Sequence, residues 1–100
     1  MSNNMDALMK FYGQAMEETF GAIEYARCAS ASKGSDADIS KMYVEMATAE
    51  IGHAQRLLSC FSKKAAEHEA GWEFKTLVGY LEDEVTMKLA EAKGPVELAK

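Results

Sequence analysis

The sequence predicts an all-α fold, an antiparallel helical hairpin followed by a shorter third helix. Three observations carry this. Apolar and small residues recur every three or four positions along most of the chain, the spacing of one helix face. Alternation of period two never persists long enough for a strand. Turn chemistry falls between the periodic stretches, at Lys33-Gly34-Ser35-Asp36, at Gly71 and at Gly94-Pro95.

The first helix is expected over about residues 5–32, with Leu8, Phe11, Ala15, Ala22, Tyr25 and Ala29 on one face. Ser35, three residues before Asp38, resembles a capping box in which aspartate replaces the usual glutamate. It opens a second helix over about 36–70, with Ile39, Tyr43, Met46, Leu57 and Phe61 in its stripe and Gly71 as its break. A third helix, about 73–93, aligns Phe74, Leu77, Leu81, Val85 and Leu89 and stops at Gly94-Pro95. The short first loop makes helices 1 and 2 an antiparallel pair. Residues 1–100 form a single domain, with no internal repeat, linker or low-complexity tract.

A content of 48% hydrophobic and 27% charged residues marks a chain that folds. The net charge of −5 argues against nucleic acid as a partner, because that binding rests on clustered Lys and Arg. No stretch approaches the roughly 20 largely apolar residues of a membrane-spanning helix. Met1-Ser2-Asn3-Asn4 lacks the basic and apolar blocks of a secretory signal. A soluble, cytoplasmic protein with no membrane partner is expected. Cys28 and Cys60 are too few for a disulfide scaffold or a four-thiolate metal site, and inside helical patterns they read as inert packing. Two long helices and a shorter third leave part of the hairpin uncovered, so a second copy is expected to complete a four-helix bundle.

The informative residues are charged ones on the apolar stripes. Glu18 falls among Phe11, Ala15, Ala22 and Tyr25; Glu50 and His53 fall among Tyr43, Met46 and Leu57. All three are expected to point inward, where an unpaired carboxylate costs several kcal/mol and must find a cation, a proton or hydrogen bonds. With the turn centred near residues 34–35, facing positions add to about 69, which brings Glu18, Glu50 and His53 to one level within a helical turn. The same register separates Cys28 and Cys60 by about 30 Å, too far for a disulfide.

Glu50-Ile51-Gly52-His53 is a Glu-x-x-His pair, a carboxylate and an imidazole one turn apart on the same face. A two-fold axis doubles the set to four glutamates and two histidines, the inventory of di-iron and di-manganese bundles. A buried Glu–His cluster that only fixes dimer register is the bland alternative. Gly21 and Gly52, near this height, would let the helices approach. Glu17 and Glu24 lie about 100° and 120° around the helix from Glu18 and leave the stripe. Tyr25, two turns from Glu18, reads as a core aromatic before a redox tyrosine beside the metal ligands, and its hydroxyl needs a partner if buried. Met9, Met16, Met42 and Met46 suit helix interiors. His68 reads as a surface residue, Glu82-Asp83-Glu84 as a solvated face, and Trp72 as a subunit contact at the corner.

These residues also resemble a known family. Glu17-Glu18-Thr19-Phe20-Gly21-Ala22-Ile23-Glu24-Tyr25 followed by Ala49-Glu50-Ile51-Gly52-His53-Ala54 is similar to half of a ferritin-like or rubrerythrin-like di-iron domain. In that family a helix 1 glutamate has a tyrosine seven residues on, and the next helix carries Glu-x-x-His-Ala. The likeness covers about residues 17–61. Brevity, Trp72 and Tyr80-Leu81 resemble the encapsulated ferritins, which carry half a bundle and complete a ferroxidase site between subunits. Glu24-Tyr25 departs from the Trp-Tyr frequent in that branch, and the tail 94–100 does not resemble an encapsulin-docking peptide.

The resemblance implies a homodimer or a ring of dimers holding two irons per dimer, with manganese or zinc as substitutes, and an encapsulin shell as a further partner and compartment. Glu18 would be a terminal ligand, Glu50 a bridging carboxylate and His53 a terminal nitrogen ligand. The implied activity is oxidation of Fe(II) by dioxygen for iron storage or detoxification. Two other functions stay open: a rubrerythrin-like peroxide reductase fed by a separate electron donor, and a non-catalytic helical oligomerisation or binding module. A rubrerythrin with its own four-cysteine iron centre is excluded by the cysteine count.

Overall fold

The computed structural model describes residues 3–67 and 71–100. Three helices follow one another: α1 (Asn3–Ser32), α2 (Ala37–Ala66) and α3 (Trp72–Ala99). There is no strand among the described residues. The helices lie side by side in a rod of 53 × 20 × 15 Å. No helix among the described residues is long and apolar enough to cross a membrane.

The core follows a heptad-like seam of steps of three and four. It buries Leu8, Ala15, Thr19, Ala22, Ala26 and Ala29 on α1, and Ser40, Ala47, Ala54, Phe61 and Ala65 on α2. On α3 it buries Val85, Leu89, Ala92, Val96 and Ala99. Small residues on both sides of the α1–α2 contact let the two backbones approach closely. Thr19 keeps its buried hydroxyl satisfied by donating to the Ala15 carbonyl at 2.7 Å. The contacts run from Ala22, Ala26, Ala47, Ala92 and Val96 near the first turn, through Ala15, Ala54, Val85 and Leu89, to Leu8, Phe61 and Ala65 at the far end.

The first turn is built differently from the expected capping box. Asp36, not Ser35, is the N-cap of α2, and its Oδ1 accepts from the Ile39 amide at 3.1 Å. Its carboxylate therefore satisfies one of the amides that a helix start leaves unpaired. The Ser35 hydroxyl instead donates to the Ser32 carbonyl. The Ser35 and Asp36 amides donate to that same carbonyl at 3.0 and 2.8 Å, closing the reversal.

The third helix corrects the sequence reading most. It does not stop at Gly94-Pro95 but runs to Ala99, so at 28 residues it nearly matches the 30 of its neighbours. Pro95 denies the Glu91 carbonyl its intrahelical partner, a change that costs about 3 kcal/mol in a helix interior. Ala92, Val96 and Ala99 are buried on either side of it, and burying a valine side chain alone returns about 1.5–3 kcal/mol. Lys33 Nζ also donates to the Leu98 carbonyl, tying the last turn to the end of α1. Tertiary contact overrides the local stop.

At its other end, α2 finishes at Ala66, earlier than the expected 70, and Glu67 is its C-cap. Residues 68–70 lie outside the described residues. Gly71 is the N-cap of α3, and its carbonyl accepts from the Lys75 amide. Ser62 donates to the Glu82 carboxylate and clips α2 to α3, so Glu82 does not belong to the solvated face of Asp83 and Glu84.

Candidate metal centre

Glu18, Glu50 and His53 converge, and one ligand atom from each lies within 4.8 Å of the others. His53 Nδ1 stands 3.9 Å from Glu18 Oε2 and 3.8 Å from Glu50 Oε1. No other group of three such side chains meets this closely among the described residues. The Glu-x-x-His spacing supplies two members from α2, and the antiparallel register supplies the third from α1 at the same height.

Their burial differs from the inward orientation expected. The side chains of Glu18, Glu50 and His53 are 33%, 25% and 52% exposed. They sit beside the core seam, not in it. Ile23, about 140° around α1 from Glu18, lines the α1–α3 groove with Lys88 and Glu91. The three side chains thus occupy the face of the α1–α2 hairpin turned away from α3. The half-buried Phe11, Tyr25, Tyr43, Met46 and Leu57 share this face.

Two close carboxylates strain each other electrostatically. The Glu50 carboxyl is pushed above its ordinary value of 4.5, first by a hydrogen bond with Glu18 that favours the protonated form. Desolvation and the Glu18 charge act in the same direction, while His53 opposes them. A cation between the carboxylates would remove that repulsion.

Around the centre, Tyr25 stacks on Tyr43 with ring centroids 6.1 Å apart and planes at 29°. Tyr25 is half-buried and packs against the core cluster of Ala22, Ala26 and Ala47, at the edge of the core expected for it. In the sequence Tyr43 shows only as a member of a stripe; the register that pairs Glu18 with Glu50 also pairs Tyr25 with Tyr43, and that is the available signal. Gly21 lies against the Glu50 carboxylate, whereas Gly52, offered with it as a point of close approach, faces open space. Glu17 and Glu24 are exposed, as their angles require.

Several other expectations change. Cys28 is half-buried and Cys60 exposed, both as free thiols, so neither is the packed core residue expected. Met9 and Met42 are exposed, leaving Met16 and Met46 half-buried. Ile39 and Leu77 from the expected stripes are exposed; Trp72, expected as a subunit contact, is exposed on the single chain at the start of α3. His68 lies outside the described residues. No protein-family model, curated protein or solved structure matches the chain, so the ferritin-like likeness rests on Glu18, Tyr25, Glu50, His53 and Ala54 themselves.

Proposed function

We propose that two copies of this chain pair through the open α1–α2 face and that their Glu18, Glu50 and His53 sets jointly hold two irons. Fe(II) is oxidised there by dioxygen, in iron storage or detoxification. The observation that carries this is the convergence of two carboxylates and an imidazole from two helices within 4.8 Å. The imidazole stands 3.8 and 3.9 Å from the carboxylates, too far for hydrogen bonds. Two ligand atoms about 2.1 Å from a shared ion lie no more than about 4.2 Å apart. The hydrogen bond of the cluster joins the two carboxylates, while the imidazole stands at a spacing that suits a shared cation.

The donor set fits iron, since imidazole suits iron and carboxylates balance its charge. One chain offers two carboxylates, enough charge for one divalent ion; two copies offer four, enough for two. The chain exposes 6406 Å², against roughly 5,600 Å² for a folded monomer of 11.0 kDa. The excess of about 800 Å² follows from the elongated shape of 53 × 20 × 15 Å. Iron held there as Fe(II) would supply the electrons that reduce dioxygen, becoming Fe(III). The protein's part would be to hold the two ions together; Glu18, Glu50 and His53 would be their ligands, and the ferritin-like resemblance gives Glu50 the bridging role and Glu18 and His53 the terminal ones.

The test is anaerobic titration of metal-free protein with Fe(II) in the ultracentrifuge, then exposure to air. Dimer should form with two irons bound, because a ligand favours the state that binds it. Ferric product should then appear catalytically, and Glu50→Ala and His53→Ala should both be slow. A monomer that binds two irons tightly would sink the shared site. Turnover with peroxide much faster than with dioxygen would replace ferroxidase by peroxide reductase and leave the ligands standing. Failure to bind any metal would leave a register-fixing cluster.

A further inference from the structure

We infer that Gly21 is a positioning residue for Glu50: the side chain it lacks is the space in which the Glu50 carboxylate rests. This rests on the metal-centre reading for its purpose and on geometry for its existence. A Cβ built on Gly21 would stand 3.0 Å from Glu50 Oε2, 3.7 Å from Cδ and 4.0 Å from Cγ. Three successive atoms of one side chain from α2 thus lie along the α1 surface at this point. At each of the other six glycines an added Cβ would meet nothing within 4 Å.

The backbone gives no competing reason for glycine here. Gly21 lies in the interior of α1, and no glycine among the described residues has a positive φ. Glycine in such a place is less stable than alanine. Its use follows from the space above it. The atoms that fill this space are the mobile end of a glutamate, so a methyl group at position 21 would displace the carboxylate and leave the helices where they are. Stability and ligand geometry are therefore expected to move in opposite directions, which a merely structural glycine would not produce.

The test compares wild type, Gly21→Ala and Gly52→Ala as full-length chains, using Mn(II) binding by calorimetry and thermal melting without metal. Gly21→Ala should melt about 4 °C higher yet bind Mn(II) about 10- to 100-fold more weakly. Gly52→Ala should melt higher with Mn(II) affinity unchanged. Equal affinity in Gly21→Ala and wild type would overturn the assignment. A metal-free readout separates this from the centre itself. Nuclear Overhauser contacts between the Gly21 α protons and the Glu50 γ protons are expected in wild type, and their absence would overturn the seat. Contacts present in a wild type that binds no Mn(II) would support the seat and sink the metal reading instead.

Discussion

The Ser40 hydroxyl donates a hydrogen bond to the Ala29 carbonyl at 2.8 Å, joining α2 to α1 across a buried contact eleven residues apart in sequence. It fixes the hairpin register close to the turn. Continued along the helices, that register sets Ala22 beside Ala47, Ala15 beside Ala54 and Leu8 beside Phe61. It is also the register that brings Glu18 level with Glu50.

Ser40→Ala should therefore lower stability by about 1 kcal/mol, the net worth of one intramolecular hydrogen bond. In a chain of this size that is about 4–8 °C in Tm. Thermal unfolding followed by circular dichroism would measure it. An unchanged midpoint would mean that packing alone sets the register.

Glu18→Ala should abolish paired-metal binding, whereas Glu24→Ala should leave most of it. Glu18 is a member of the converging trio; Glu24 lines the groove between α1 and α3 with Arg27 and Lys88. Metal content per chain after equilibrium dialysis distinguishes them. Equal losses would place the helix 1 ligand on the wrong face.

The pH dependence follows from Glu50. Its carboxyl titrates above 4.5 in the folded protein, so the folded state holds that proton more tightly than the unfolded chain does. The resulting stability is fully present below 4.5 and is lost as pH rises through the folded value. Metal-free Glu50→Gln should accordingly be more stable than wild type at neutral pH, and the advantage should shrink as pH falls toward 4.5. Urea denaturation of both proteins across this range checks the sign. An advantage that grew on acidification would contradict it.

Pro95→Ala should stabilise the chain by about 1–3 kcal/mol, because it restores an amide to the Glu91 carbonyl in a helix that already continues past this position to Ala99. The lower part of that range applies if the last turn frays. Denaturant midpoints at constant m-value would report it. Destabilisation would show that α3 needs the bend a proline imposes.

Much of this was legible in the sequence, for identifiable reasons. Helical periodicity marked three helices, and a short polar loop predicted the antiparallel register that Ser40 and Ala29 confirm. The trio was legible because Glu-x-x-His and Glu18 are polar where the stripe is apolar. The centre of the core was misplaced by part of a turn. Large residues such as Phe11 and Tyr25 dominated the pattern, while the true seam on α1 runs through Ala15, Thr19, Ala22 and Ala26, whose hydropathy is weak. That shift is why Glu18 was expected inside and lies beside the seam. The course of α3 past Pro95 was illegible because the contacts that sustain it come from α1 and α2, distant in sequence.

Ala15, Ala22, Ala47 and Ala54 lie fully buried between α1 and α2. The distance between packed helix axes follows the bulk at their contact, over about 8–10 Å. Glu18 and Glu50 reach toward each other from those two axes, so the seam acts as a calliper for the ligands. On the proposed metal reading, descent with modification could then silence the centre without touching the codon of Glu18, Glu50 or His53. Drift from alanine to valine or leucine along the seam would part the helices and leave Glu18, Glu50 and His53 as relics, still present in the sequence but too far apart to share an ion.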